Sequence, residues 1–257
     1  MIRIRPIAAL LGVVALAACE ERGPQDILGT TPGASVKFFN FAVNGPGVNF
    51  YANDTKLTAI SSTSGAESAT GTAYGSAGSG GFYSGIAPGQ YTFTGRIAAA
   101  TDKDLPITSL PVTVADGKSY SVYLTGFYDA TTKKADAFVV EDDFPATPDY
   151  TRTYVRFVNA IPNSQPMALY VRVPETGVEA AASAPVAYKG ASAFVSFTGG
   201  GVVDLLTRTA GSTTAAITRT AVSFLPGHAY TIAARGDMTV TSTTATNRPI
   251  LDNTANR

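Results

Sequence analysis

The chain repeats itself, and that repeat constrains its fold more than any other feature. Val36-Lys37-Phe38-Phe39-Asn40 returns as Val155-Arg156-Phe157-Val158-Asn159, and in both places a tyrosine follows 15 positions after the valine, at Tyr51 and Tyr170. Ala73-Tyr74 returns as Ala187-Tyr188. The clearest block, Val112-Thr113-Val114-Ala115-Asp116-Gly117-Lys118-Ser119-Tyr120-Ser121-Val122, returns as Val222-Ser223-Phe224-Leu225-Pro226-Gly227-His228-Ala229-Tyr230-Thr231-Ile232. The blocks are displaced by 119, 114 and 110 positions, so the copies are expected to differ by loop insertions in the first. A unit of about 100 residues is a duplicated domain rather than a solenoid repeat.

Short runs rich in Val, Ile, Thr, Tyr and Phe alternate with Gly, Pro, Asn and Asp throughout both copies, the signature of strands and turns. No long segment holds a helical period, and the Ala-rich stretch 179–184 is short and ends at Pro185. The third repeat block reads as strand, Gly turn, strand, a β-hairpin. The run Gly75 to Gly81 reads as a flexible hairpin loop. Seven or more short strands per copy predict an all-β protein of two tandem immunoglobulin-like antiparallel β-sandwich domains, over 35–140 and 152–243. Residues 141–151, acidic and Pro-containing, read as a linker, and 244–257 as a C-terminal tail.

The N-terminus reads as an address. Met1-Ile2-Arg3-Ile4-Arg5 is followed by an apolar stretch shorter than the ~20 residues a membrane-spanning helix needs, then by Leu16-Ala17-Ala18-Cys19 and charge at Glu20-Glu21-Arg22. Leu-Ala-Ala-Cys resembles the lipobox of bacterial lipoproteins. There the cysteine thiol takes diacylglycerol before the leader is cut off in front of it, and further acyl chains make the attachment durable. Cys19 is the sole cysteine, so residues 1–18 are expected to be a signal peptide, residues 19–34 a lipidated tether, and the mature fold free of disulfides. The expected location is the surface of a bacterial membrane, an outer membrane where the organism has one.

A lipobox followed by two copies of V-[KR]-F-[FV]-N, then [FL]-Y, then V-[TS]-[VF]-x-x-G-x-x-Y-[ST]-[VI] resembles the family called domain of unknown function 4397, over residues 35–240. The resemblance implies an envelope protein with tandem β-rich copies and brings no activity with it. This chain carries Asn40 and Asn159 after the first strand of each copy, where many members have His.

Composition and motif searches exclude more than they assign. Without Arg3 and Arg5 of the leader, 17 basic against 19 acidic side chains leave a formal charge of −2, and no basic cluster marks a nucleic-acid surface. Charged residues make up 15%, below the ~25% usual in soluble domains, while 45% hydrophobic residues suffice for a core. The single histidine, His228, stands where the other copy has Lys118, so an exposed turn residue is the simpler reading. No nucleophile elbow, Walker loop or zinc-protease motif is present, and no cofactor is implied. Glu141, Asp142, Asp143 and Asp149 supply oxygen ligands that calcium would accept, yet without the spacing of a known loop; a solvated linker is the competing reading. Phe82-Tyr83 and Phe127-Tyr128 could stack on sugars or a protein, or place one ring in the core and one at an edge. These readings point to a non-enzymatic binding, adhesion or scaffold module with an envelope protein or glycan partner. The alternative is an envelope hydrolase working through carboxylates.

Overall fold

The computed structural model describes residues 33–58 and 70–256. The leader, Cys19 and most of the tether fall outside the described residues. Among those described, the first copy consists of β1 (Ala34–Asn40), β2 (Val48–Ala52), β3 (Thr55–Lys56), β4 (Ser76–Ala77), β5 (Ser84–Ile86), β6 (Gly89–Ile97), β7 (Leu110–Val114), β8 (Ser119–Asp129) and β9 (Lys134–Glu141). The second consists of β10 (Arg152–Asn159), β11 (Met167–Arg172), β12 (Glu179–Ala181), β13 (Gly190–Ala191), β14 (Val195–Thr198), β15 (Gly201–Thr209), β16 (Ile217–Phe224), β17 (Ala229–Arg235) and β18 (Ile250–Ala255).

The duplication is complete at the level of topology. In the first copy β4 and β5 pair with β1, followed by β8 and β9, and the facing sheet runs β3-β2-β6-β7. In the second, β13 and β14 pair with β10, followed by β17 and β18, and the facing sheet runs β12-β11-β15-β16. Each copy is a β-sandwich. Pairing between named strands is antiparallel except at the centre, where β1 runs parallel to β8 and β10 to β17.

The third repeat block is not a hairpin. β7 pairs with β6 while β8 pairs with β1 and β9, so the chain crosses from one sheet to the other at the Gly turn. β16 and β17 do the same. The motif is explained by what holds this arch. Gly117 and Gly227 sit at φ of 69° and 80°, where a side chain is strained. The hydroxyls of Tyr120 and Tyr230 accept the backbone N–H of Ala115 (3.1 Å) and Leu225 (3.0 Å) from the far side of the turn. Hairpin and arch share the same local pattern; only the pairing partner separates them.

The asparagines of the first repeat block are staples. Asn40, fully buried, donates to the carbonyls of Pro46 (3.0 Å) and Thr72 (2.8 Å) and accepts from Ala42 N–H. Asn159 donates to the Ser164 hydroxyl (2.9 Å) and the Val186 carbonyl (3.1 Å) and accepts from Ile161 N–H (3.1 Å). Each satisfies backbone groups that leave the strand ladder at a buried corner, which would otherwise be costly.

Two cores fill the sandwiches. One centres on Val36, Phe38, Phe50, Phe93 and Val122, the other on Val155, Phe157, Leu169, Leu205 and Ile232. A third core joins them: Phe39, Phe41, Tyr123 and Phe138 of the first copy meet Val158, Ala160 and Ala233 of the second. Phe39, Phe41 and Tyr123 on one side answer the smaller Val158, Ala160 and Ala233 at the equivalent positions of the other, so a duplicated surface has become complementary to itself. The described residues accordingly form one compact unit rather than two bodies on a linker.

Several expected boundaries shift. Glu141 closes β9, and Asp142 is buried (4% exposed), so the linker begins inside the fold. The tail contains β18, paired along its length with β17. Insertions occur in the second copy as well: β8 and β9 are joined by residues 130–133, β17 and β18 by residues 236–249. The Gly-rich run is not a free loop, since β4 lies on β1, and a side chain at Gly75 would meet the Arg235 guanidinium at 2.7 Å.

Candidate functional site

Buried charge gathers at the seam between the copies, on the faces of β1, β8, β10 and β17 that point away from their own sandwiches. The strand alternation that sends Val36 and Phe38 inward sends Lys37 outward, and likewise Arg156 beside Val155 and Phe157. Outward here means into the other copy. Lys37 is 1% exposed and Arg156 2%.

The partners exchange reciprocally. Asp142, immediately after β9, gives its carboxylate to Arg156 of the second copy. Asn256, immediately after β18, accepts from Lys37 Nζ of the first at 3.1 Å. Both residues are fixed by equivalent backbone bonds, Asp142 N–H to Ser119 O (2.7 Å) and Asn256 N–H to Ala229 O (2.8 Å). Ser121 donates to Asp142 (2.8 Å), and Asn256 donates to Thr231 (2.7 Å), again at equivalent positions of β8 and β17. A ring covers each cation: Tyr83 lies 4.2 Å from Lys37 Nζ, and Phe194 lies 4.9 Å from the Arg156 guanidinium carbon. This is the self-complementary contact pattern of a two-fold dimer, here written within one chain.

The electrostatics follow from burial. Desolvation lowers the Lys37 pKa to about 8; nearby Asp142 opposes the shift and Arg156 adds to it. Tyr83 is pushed up, first by burial and then by the Asp142 carboxylate, to which its hydroxyl donates at 2.5 Å. Tyr123 is raised by burial as well. Asp142 thus receives Tyr83, Ser121 and Arg156, and Arg156 also reaches Thr231 (2.8 Å) and the Glu141 carbonyl (3.2 Å). Further from the axis, Arg235 lies on the Tyr74 ring (4.9 Å), while the equivalent Tyr188 donates to Asp136 across the seam (3.4 Å).

The acidic residues of the expected linker do not converge. Glu141 pairs with Lys118 (2.6 Å), Asp142 with Arg156, and Asp149 accepts the Thr151 amide (2.9 Å), while Asp143 is exposed. Among the described residues no three His, Cys, Asp or Glu side chains gather as a metal site. Asp142 therefore fits neither the calcium reading nor the solvated-linker reading: it is an internal counter-ion. His228 is half-buried rather than exposed. It stands between a groove of about 470 Å³ bearing Phe144, Tyr150 and Pro226 and one of about 550 Å³ bearing Lys37, Phe82 and Asn256. Of the aromatic pairs, Phe82 and Phe127 are exposed, whereas Tyr83 covers Lys37 and Tyr128 packs on the first core. Sequence reading did not single out Lys37, Arg156 or Asn256, and offered Tyr83 only as a stacking or core-edge ring; the signal was the lysine and arginine in the middle of an otherwise apolar repeated strand.

The geometry defines a class: a pseudo-symmetric double β-sandwich fused through a buried ionic seam. The chain belongs to the family described as domain of unknown function DUF4397, whose sequence profile matches residues 34–170 and again 153–257. No curated protein matches it. Among solved structures, a Bacteroides ovatus protein whose description as a cell adhesion protein is itself provisional shares 10% identity over 88% of this chain and 96% of its own, with a TM-score of 0.25. A leucine-rich repeat protein from Bacteroides thetaiotaomicron shares 12% identity over 76% of this chain and 25% of its own, with a TM-score of 0.18. At such TM-scores neither likeness carries weight for fold or function.

Proposed function

We propose that the protein is an exported lipoprotein of the cell envelope, held to a membrane by acyl chains on Cys19, that works by binding, as an adhesion or scaffold module, without turning over a substrate. The observation that carries the non-catalytic part is the seam: where buried charged groups gather, they are spent on joining one copy to the other. The two carboxylates buried among the described residues, Asp142 and Asp204, are each paired with an arginine, Arg156 and Arg172. The Arg172 hydrogen bond holds the Asp204 carboxyl below the usual carboxylate range, whereas a general acid needs an environment that raises it. Among the described residues, every carboxylate whose pKa is displaced (Asp129, Asp149, Glu179, Asp204, Asp237) is displaced downward, chiefly by hydrogen bonds from threonine or arginine side chains.

The binding surface best supported is the long connection over residues 236–249, which has no counterpart of that length in the first copy. It is rich in Thr and Ser, and it is pinned at its base. Asn163 donates to Asp237 (2.8 Å) and accepts from Met238 N–H (3.0 Å), and Asn247 reaches Asn44 of the first copy (3.4 Å). Loops held on a rigid scaffold are where recognition is usually built. A photoreactive residue placed at Thr241 in living cells is expected to join the protein to a discrete envelope component. The proposal is overturned if purified protein hydrolyses a substrate and Asp142→Asn or Asp204→Asn abolishes that turnover with folding intact.

A further inference from the structure

Equivalent residues face each other across the seam, so β1 and β10 run the same way and their starting ends lie together. Thr125 donates to the Ala160 carbonyl (2.7 Å), and Arg235, its counterpart, covers Phe41, the counterpart of Ala160. Gly33, the first described residue, lies at this shared end, where its carbonyl accepts from Gly117 N–H. The Gly117 and Gly227 turns, the β2–β3 and β11–β12 tips and the starts of β6 and β15 all belong to the same end.

The two copies differ sharply there. The first presents Asn53 and Asp54 at its tip, Gln90 at the start of β6, and Asp116 and Lys118 in its arch. The second presents Val173 and Val178 at its tip, Val202 at the start of β15, Leu225 in its arch, and Tyr150 beside it. These are 39%, 63%, 49%, 57% and 76% exposed, five of the eight large apolar or aromatic side chains exposed among the described residues. They lie together at one end of the second copy. Val173 and Val178 are joined by a backbone bond (2.9 Å). Val173 shares a cavity of about 210 Å³ with Gly199 and Gly200. A side chain at Gly200 would meet Phe224 and Pro226, and one at Gly227 would meet Tyr150.

We propose that this end of the second copy lies on a lipid surface, with Val178, Val202, Leu225 and Tyr150 in the interfacial region of the membrane. The inference rests on the reading of Cys19 as the lipid anchor. Fourteen residues lead from Cys19 to Gly33, and a chain of that length reaches at most ~50 Å even when fully extended. An anchored Cys19 therefore holds this end near the bilayer at high effective concentration, where valine, leucine and an interfacial tyrosine gain by leaving water. The polar end of the first copy sets a tilt, second copy down.

The test uses the full lipidated chain in phosphatidylethanolamine–phosphatidylglycerol vesicles whose acyl chains carry bromine. With Cys19 consumed as a thioether, Val178→Cys, Val202→Cys and Leu225→Cys each give a single thiol for a fluorophore, and Gln90→Cys and Thr132→Cys serve as references. All five positions are exposed. Quenching at 178, 202 and 225 is expected to exceed that at 90 and 132 by roughly twofold or more. Equal quenching at all five positions in protein that floats with the vesicles overturns the proposal. Labels that become shielded only when a second protein is added assign the patch to a protein partner and overturn it too. Protein that carries no acyl chain and does not float overturns the anchor reading, and the placement with it.

Discussion

Asp142 leaves the last strand of the first copy and buries its carboxylate against the guanidinium of Arg156, in the first strand of the second. Lys37, the counterpart of Arg156, has only the neutral Asn256 as its counterpart of Asp142. The two cations are therefore unequal, and mutagenesis should separate them. Asp142→Asn leaves Arg156 buried without a counter-ion and should cost about 3–5 kcal/mol. Lys37→Met keeps the volume, removes a desolvated charge and should be neutral or mildly stabilising. Urea unfolding of the two variants beside the parent reads both effects; equal losses would refute the asymmetry.

Stability should rise between pH 8 and about 10. Folded Lys37 releases its proton near pH 8, whereas the unfolded side chain keeps it to about 10.5. Within that window the unfolded state binds more protons, so raising the pH favours the fold, by on the order of 1–3 kcal/mol over the full interval. Tyr83 and Tyr123 act the other way above pH 10, because unfolded tyrosine ionises first. Melting in Lys37→Met should lose the rise between pH 8 and 10; an unchanged profile would remove Lys37 as its source.

The third core makes the copies interdependent. Separated after the linker, the first copy would expose Phe39, Phe41, Tyr123 and Phe138 on one sheet face, a patch of the kind that drives association. The intact chain should unfold in one transition, coincident by far-ultraviolet dichroism and tyrosine fluorescence, and the isolated first copy should aggregate. Two resolved transitions would mean that the seam is only a contact.

The asparagine staples should be costly to remove. Asn159→Ala strips partners from the Val186 carbonyl and the Ile161 amide in a fully buried corner, and should destabilise by about 2–4 kcal/mol. Asn40→Ala should behave alike. A loss below about 1 kcal/mol at both positions would mean that the corners refold around the change.

How much of this was legible follows from where the signals are local. Repeats, strand content and the sandwich class depend on residue patterns along the chain, and those are printed in Val36–Asn40 and its echo at Val155–Asn159. The pairing of β7 with β6 instead of β8 depends on contacts far apart in sequence, and a Gly turn serves hairpin and arch equally well. The seam was hidden for a related reason. Lys37 and Arg156 occupy the outward positions of alternating strands, which ordinarily face water, and only the presence of a second sheet there turns them inward. Asp142 lay among acids and prolines that composition assigns to a linker.

Attachment of this fused pair of sandwiches to a membrane through Cys19 can be read by mass spectrometry of the N-terminal peptide, from protein extracted from the membrane fraction of the producing cells. The expected product is a chain beginning at Cys19 whose sulfur carries diacylglycerol, lost from the membrane in Cys19→Ser. A membrane-bound chain with a free Cys19 thiol, or one beginning elsewhere without any acyl mass, would contradict it.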